Sequence, residues 1–211
     1  MMPTLTSIYA QAPLLQRALV SARPAICPPE PILSSIPANA EVLDVGCGVG
    51  ALLISLALRG DLIAGTGCDL NPASIAVARS AAHRLANSNL SFVLAGASDD
   101  IPPGPFDVVT TIDVMHHVDP AMQRAFFAAC AERVKPGGLF VYKDMADKPL
   151  WKNLFNRCHD AVLARQFIHY VPLEDIKEWG SALGFTVQEE AAYSRFAYAH
   201  ELVVFRRGER R

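Results

Sequence analysis

The chain has 211 residues, 51% hydrophobic and 19% charged, and a formal net charge of -2 from 19 basic and 21 acidic side chains. That length suits one α/β domain with a single sizeable core, and the even charge balance excludes a general attraction to a phosphate backbone. Five cysteines (Cys27, Cys47, Cys68, Cys130 and Cys158) lie scattered with no CxxC pair, which argues against a zinc site or a disulfide framework and for buried thiols in a reducing compartment.

Residues 1–40 are rich in proline and hold one expected helix, about Ala12 to Ala22, so they read as an N-terminal helical arm ahead of a main domain at 41–211. No basic stretch followed by an apolar one opens the chain, and no apolar run is long enough to span a bilayer; the cytoplasm is the expected location. From Glu41 strands and helices alternate. Glu41–Val45 is a buried strand, Ala51–Arg59 a helix and Leu62–Asp69 a strand of small residues. Pro72–Ala86 is a helix with Asn71 as its N-cap and proline in its first turn. Leu90–Ala95 and the β-branched Phe106–Ile112 are strands, Pro120–Val134 is a helix capped by Asp119, and Gly138–Tyr142 is a strand after the turn Lys135-Pro-Gly-Gly138. Strands separated by helices imply parallel βαβ units with right-handed crossovers. The pattern then changes. Trp151–Gln166 reads as an amphipathic helix and Leu173–Leu183 as a helix ended by Gly184. Phe185–Glu189 and Glu201–Arg206 are strands whose short link cannot hold a crossover helix, so they pair antiparallel. The expected fold is a doubly wound, Rossmann-like, mostly parallel sheet of seven strands with an antiparallel C-terminal strand and helices on both faces.

Val42-Leu-Asp-Val-Gly-Cys-Gly-Val-Gly50 ends a strand and opens a helix. Its glycines leave backbone N–H groups at a helix N-terminus open to a ligand. By itself this segment also satisfies the loose dinucleotide fingerprint, and a ligand-free tight turn is the structural alternative. Asp69, about 20 residues on at the end of the second strand, is placed to accept the hydroxyls of a ribose. Its other reading is a charge solvated at the start of the next helix.

The chain resembles the class I S-adenosylmethionine-dependent methyltransferases. The resemblance covers about Glu41 to Tyr142 well and the C-terminal third more loosely. It rests on four segments in the family's order: Asp44-Val-Gly-Cys-Gly-Val-Gly50, with an acid ahead of the glycines that nicotinamide-binding loops usually lack; Gly67-Cys-Asp-Leu-Asn-Pro72; Phe106-Asp-Val-Val-Thr-Thr-Ile-Asp-Val-Met-His-His117; and Lys135-Pro-Gly-Gly138. The resemblance implies S-adenosyl-L-methionine as cofactor. It implies Asp44, Gly46, Cys47 and Gly48 around the methionine portion, Asp69 on the ribose, Leu70 on the adenine, and Ile112 and Asp113 bordering the methyl group. Where the family often has an aspartate near the adenine amino group, this chain has Gly96-Ala97-Ser98, so backbone groups of Ala97 and Ser98, or a shifted Asp99, are the candidates.

Methyl transfer from a sulfonium is an in-line displacement that depends mainly on holding donor and acceptor in line, with a base if the acceptor is a hydroxyl. His117 after the fourth strand, Asp144 after the fifth and His169 before a late helix are the candidate catalytic residues. A packed histidine, an exposed loop charge and a hydrophobic packing element are their respective structural alternatives. His116 is the less favoured neighbour of His117. Residues 145–172 would cover the acceptor with aromatic side chains, and Tyr9 could close over the cofactor. Asp113 and Asp144 could share a magnesium ion, but Met145 stands where a third ligand is needed, so no metal is expected.

Nucleic-acid substrates are disfavoured. Ile112-Asp-Val-Met115 lacks the proline and aromatic residues of base-methylating DNA enzymes, no lysine precedes Lys135, and the only basic cluster is the Arg206–Arg211 tail. The paired glutamates of arginine-methylating enzymes are also absent. A small-molecule acceptor, apolar or tethered to a carrier, with oxygen as the favoured methylated atom, is the expectation. A nicotinamide-dependent oxidoreductase and a non-catalytic binder of the same cofactor remain the alternatives.

Overall fold

A computed structural model describes residues 4–85, 89–96, 98–146, 169–195 and 198–209. The expected cover helix Trp151–Gln166, with residues 147–168 of the 145–172 segment, lies outside these residues, as does Ala97. Three helices precede the sheet: α1 (Leu5–Ile8), α2 (Leu14–Ile26) and α3 (Glu30–Ser34). The alternating region is β1 (Ala40–Val45), α4 (Ala51–Arg59), β2 (Leu62–Asp69), α5 (Pro72–Ala82), β3 (Leu90–Leu94), β4 (Phe106–Ile112), α6 (Gln123–Glu132) and β5 (Val134–Met145). The chain ends with α7 (Leu173–Ala182), β6 (Phe185–Arg195) and β7 (Tyr198–Arg207). The strands form one sheet in the order β3-β2-β1-β4-β5-β7-β6. β1 to β5 pair in parallel, while β7 runs antiparallel to both β5 and β6. The doubly wound seven-stranded sheet with one reversed C-terminal strand is therefore observed.

Alternating side chains along β1, β4, β5 and β7 feed two cores. Val42, Val108, Val141, Leu202 and Val204 meet Leu53, Leu56, Ile75 and Ala78 of α4 and α5 on one face. Leu43, Val109, Phe140, Val203 and Phe205 meet Phe127 of α6 and Ile176 of α7 on the other. Phe127 is fully buried, with Trp179 and Phe205 edge-on to its ring at 5.8 and 6.1 Å. The crossovers after β1 and β4 thus leave on opposite faces, and the crevice between these two strands at their C-terminal ends is where such sheets bind ligands.

Several boundaries differ from expectation. α2 runs to Ile26 through Pro24, because a lost hydrogen bond in the last turn is tolerated where the helix end is held by other partners. α6 starts at Gln123; Asp119 instead closes a tight turn, its side chain accepting the N–H of Ala121 (2.8 Å). Lys135-Pro-Gly-Gly138 lies within β5, where the ladder to β4 is irregular between Phe106 and Val108. β5 also continues to Met145, because β7 is long enough to pair with it there: Lys143 opposes Leu202, Asp144 opposes Glu201 and Met145 opposes His200. Asp144 is therefore a buried strand residue and not an exposed loop charge.

Candidate active site

The loop after β1 carries three left-handed glycines, Gly46, Gly48 and Gly50, with φ of 76°, 54° and 79°. They do different things. A Cβ on Gly46 would lie 2.4 Å from Val114 Cγ2, so this glycine permits close packing against the segment after β4. A Cβ on Gly48 would meet no described atom within 4 Å, so here the backbone faces open space. Gly46 and Cys47 N–H donate to Cys68 O (2.8 and 3.0 Å), tying the loop to the end of β2. Gly48 N–H donates to Asp69 Oδ2 and Asn71 N–H to Asp69 Oδ1, both at 2.8 Å. The carboxylate is thus fixed between the glycine loop and the start of α5. Asn71 caps that helix by accepting the N–H groups of Ala73 and Ser74 (2.9 and 3.3 Å). Leu70 beside it is 75% exposed. After β3, Gly96 N–H donates to Asp100 Oδ2 (3.1 Å) and Ser98 opens the 3-10 turn Ser98–Asp100, so Asp100 rather than Asp99 organises this end of the crevice.

Asp44 is buried at the end of β1 and accepts the hydroxyl of Thr110 on β4 (2.6 Å). Burial pushes its carboxyl up to about 7; the Thr110 bond and the Arg23 charge offset only part of this, and Asp69 adds to it. A carboxylate so costly to ionise alone is a fitted partner for a cationic group. Cys47 and Cys68 are no nucleophiles: burial raises both thiols, that of Cys68 to about 12.

Asp113 follows β4 with φ of 58°, a left-handed conformation that aspartate tolerates, and donates its N–H to Lys143 O (2.9 Å). Its carboxylate pairs with the fully buried Lys143 ammonium and with Arg23 of α2 (3.0 Å). Burial alone would raise Asp113, but Lys143 first and then Arg23 outweigh it and hold the carboxyl well below the usual carboxylate range. Arg23 and Lys143 were not sequence candidates. The arm is held at three further points. Tyr9 is buried and donates its hydroxyl to Val49 O (2.7 Å), so it braces the glycine loop from behind instead of closing over the site. Arg84 Nη1 donates to Ile8 O (2.7 Å), and the imidazole of His200 contacts Ile26 O at 2.9 Å. Burial, followed by the Lys143 charge, lowers His200 to about 4, so it is neutral and its Nε2–H is the donor to that carbonyl.

On the other face, the turn Met115–His117 brings Asp144 to His116 and not to His117. His116 is buried, and both its N–H (3.1 Å) and its Nδ1 contact Asp144. His117 is exposed, its ring centroid 4.1 Å from that of His116. His169 is also exposed and enters through its backbone: its N–H donates to His116 O (3.0 Å), and its carbonyl accepts Gln123 Nε2 (2.9 Å). Asp113 and Asp144, once considered as one ion's ligands, are committed to separate partners, because Lys143 and Asp144 leave β5 on opposite faces.

An acid ahead of the glycine turn, a fixed Asp69 at the end of β2 and a polar turn after β4, all at the C-terminal edge where β1 meets β4, form one crevice. A family model described as a methyltransferase domain matches residues 16–190. The chain belongs to this methyltransferase family. A ubiquinone biosynthesis O-methyltransferase of Pseudomonas fluorescens (strain Pf-5) is 31% identical over 168 residues, 72% of this chain and 67% of that protein. One from Pseudomonas aeruginosa (strain LESB58) is 40% identical over 105 residues, 48% of this chain and 42% of that one. The chain thus spans two thirds of the first relative and under half of the second. Magnesium protoporphyrin IX methyltransferase from Synechocystis PCC 6803, solved with bound S-adenosylhomocysteine, shares the fold with a TM-score of 0.70 at 20% identity, covering 95% of this chain and 91% of that one. The protein is an S-adenosylmethionine-dependent methyltransferase, and the nicotinamide reading of the glycine loop falls away. Among the described residues no helix is long and apolar enough to cross a membrane.

Proposed function

We propose that this methyltransferase moves the S-adenosylmethionine methyl group to an oxygen of a small-molecule acceptor, apolar or carrier-tethered, in the cytoplasm and without nucleic acid as substrate. The observation that carries the cofactor half is the Asp69 carboxylate held by Gly48 N–H and Asn71 N–H beside the open face of Gly48. Each Asp69 oxygen keeps acceptor capacity for a ribose hydroxyl. Gly46, Cys47 and Gly48 line the methionine portion, Asp44 offers its carboxylate to the cofactor's ammonium group, and Leu70 covers the adenine with the backbone of Ser98 near its edge. Ile112 and Asp113 border the methyl group, and Lys143 and Arg23 keep Asp113 a carboxylate. The bound cofactor supplies an electrophilic methyl on a positively charged sulfur. Oxygen as the acceptor atom is supported by the names of the relatives and by the histidines at the end of β4, which offer a base to a hydroxyl.

The test is transfer of labelled methyl to a panel of phenols, catechols and aliphatic alcohols, with thiols and amines as controls. Labelling of hydroxyl compounds is expected; labelling confined to thiols or amines overturns the acceptor assignment. Asp69→Ala should weaken S-adenosylhomocysteine binding by about tenfold or more through loss of a charge-assisted contact. Unchanged affinity would refute the cofactor assignment.

A further inference from the structure

The two adjacent histidines after β4 occupy opposite environments. His116 is 2% exposed and directs both its N–H and its imidazole Nδ1 at Asp144. Asp144 Oδ1 also accepts Met145 N–H (2.7 Å). Two backbone N–H groups already donate to Asp144, and a carboxylate acting as acceptor places the His116 proton on Nδ1. The backbone of the same turn is locked from α6 and from the segment before α7: Gln123 Nε2 donates to Met115 O (3.2 Å) and His169 O (2.9 Å), and His169 N–H donates to His116 O (3.0 Å). Against this fixed ring lies exposed His117, at a centroid distance of 4.1 Å and a tilt of 49°. The turn begins two residues after Asp113, so His117 follows closely on the β4 end that borders the crevice between β1 and β4.

We propose that Asp144 and His116 form a positioning pair for His117, and that His117 is the base for the acceptor hydroxyl. This rests on methyl transfer to oxygen. In the step, the acceptor oxygen forms its bond to the methyl carbon as the carbon–sulfur bond breaks. The electron pair of that bond stays on sulfur, which becomes neutral. The hydroxyl proton passes to the His117 imidazole and then to water. Asp144 contributes at a distance: its negative charge behind the ring pair favours the imidazolium that forms on His117. Among the described residues, the titratable groups facing the pair include Glu201, opposite Asp144 on β7; Asp113 ahead of the turn; the hydroxyls of Tyr142 and Tyr170; and His169. Among the described residues Asp144 is a carboxylate in direct contact with the histidine turn, so its replacement is the change that tests the pair.

Two measurements on the full chain test this. Imidazole nitrogen NMR needs no acceptor. His116 should show the Nδ1–H tautomer, and Asp144→Asn should lower the His117 midpoint by about half a pH unit or more. An unchanged His117 midpoint, or His116 protonated on Nε2 alone, overturns the pairing. The second measurement is turnover of 3,4-dihydroxybenzoate. His117→Gln, an exposed change that leaves the core intact, should lower kcat about a hundredfold with the KM for S-adenosylmethionine little changed. Asp144→Asn should move the acidic limb of the wild-type pH profile downward. Wild-type kcat in His117→Gln overturns the proposal. If the wild-type enzyme leaves every hydroxyl compound unlabelled, the oxygen assignment fails instead, and the pairing still stands or falls on the NMR result.

Discussion

The proposed contact of Asp44 with the cofactor predicts that binding depends on pH. In the free protein, burial raises its carboxyl to about 7, so near neutrality about half the molecules carry a proton there. If the cofactor's ammonium group requires the ionised carboxylate, the apparent dissociation constant rises as the reciprocal of the ionised fraction. From pH 8 to pH 6 it should rise about tenfold, and binding at pH 7 should release about half a proton. Calorimetric titration with S-adenosylhomocysteine in two buffers of different ionisation enthalpy measures both quantities. Asp44→Asn should remove the proton release and flatten the pH dependence; any slope left in that variant belongs to the ligand's own amino group. The same raised value has a consequence for folding. The native state binds a proton that the unfolded chain has lost, so between about pH 4 and pH 7 this group makes the free protein less stable as pH rises. Equal affinity at pH 6, 7 and 8 with no proton release would refute the assignment of Asp44 to a cationic ligand group.

Two stability predictions accompany it. Lys143→Met removes a fully buried cation from Asp113 while Arg23 remains, and should cost about 3 kcal/mol in urea unfolding at pH 7, the low end for breaking a buried pair. Because Asp113 is depressed, the pair's contribution is present above the unfolded carboxyl value and lost as pH falls through the folded one, so the deficit should shrink in acid. A deficit under 1 kcal/mol at pH 7 would show that the pair contributes little. Tyr9→Phe should cost about 1 kcal/mol by removing the hydroxyl bond to Val49 O, measured by the same denaturation. No change would mean that the arm does not brace the glycine loop.

The parallel sheet and the cofactor edge were legible because their signals are local. β-branched runs, Asn71 before Pro72 and glycines at fixed offsets each describe a few neighbouring residues. What stayed hidden lies in contacts between distant segments. Arg23 and Asp113 are 90 positions apart, and nothing near Arg23 marks it as a site residue. Asp144 was ambiguous because the apolar run of β5 ends at Tyr142; Asp144 and Met145, beyond the last β4 pair at Lys143, are strand through their pairing with β7. His116 and His117 are equivalent in a linear reading. A 3-10 turn of three residues decides which is buried, and its orientation depends on Gln123 and on the backbone of His169, 46 positions apart.

The end of β5 explains why the two faces of the site work as one. Lys143 and Asp144 are consecutive, so the pleat sends one to Asp113 and the other to His116. Only Val114 and Met115 separate those two partners, and Val114 is the side chain that fills the space above Gly46. The segment after β4 is therefore clamped from both faces by adjacent residues of one strand, while its middle packs against the glycine loop. In-line transfer tolerates little error, since a displacement of about 1 Å between donor and acceptor can cost about a hundredfold in rate. If Asp113 borders the methyl group and the histidine turn faces the acceptor, as proposed, one strand end holds both sides of the transfer through Lys143 and Asp144.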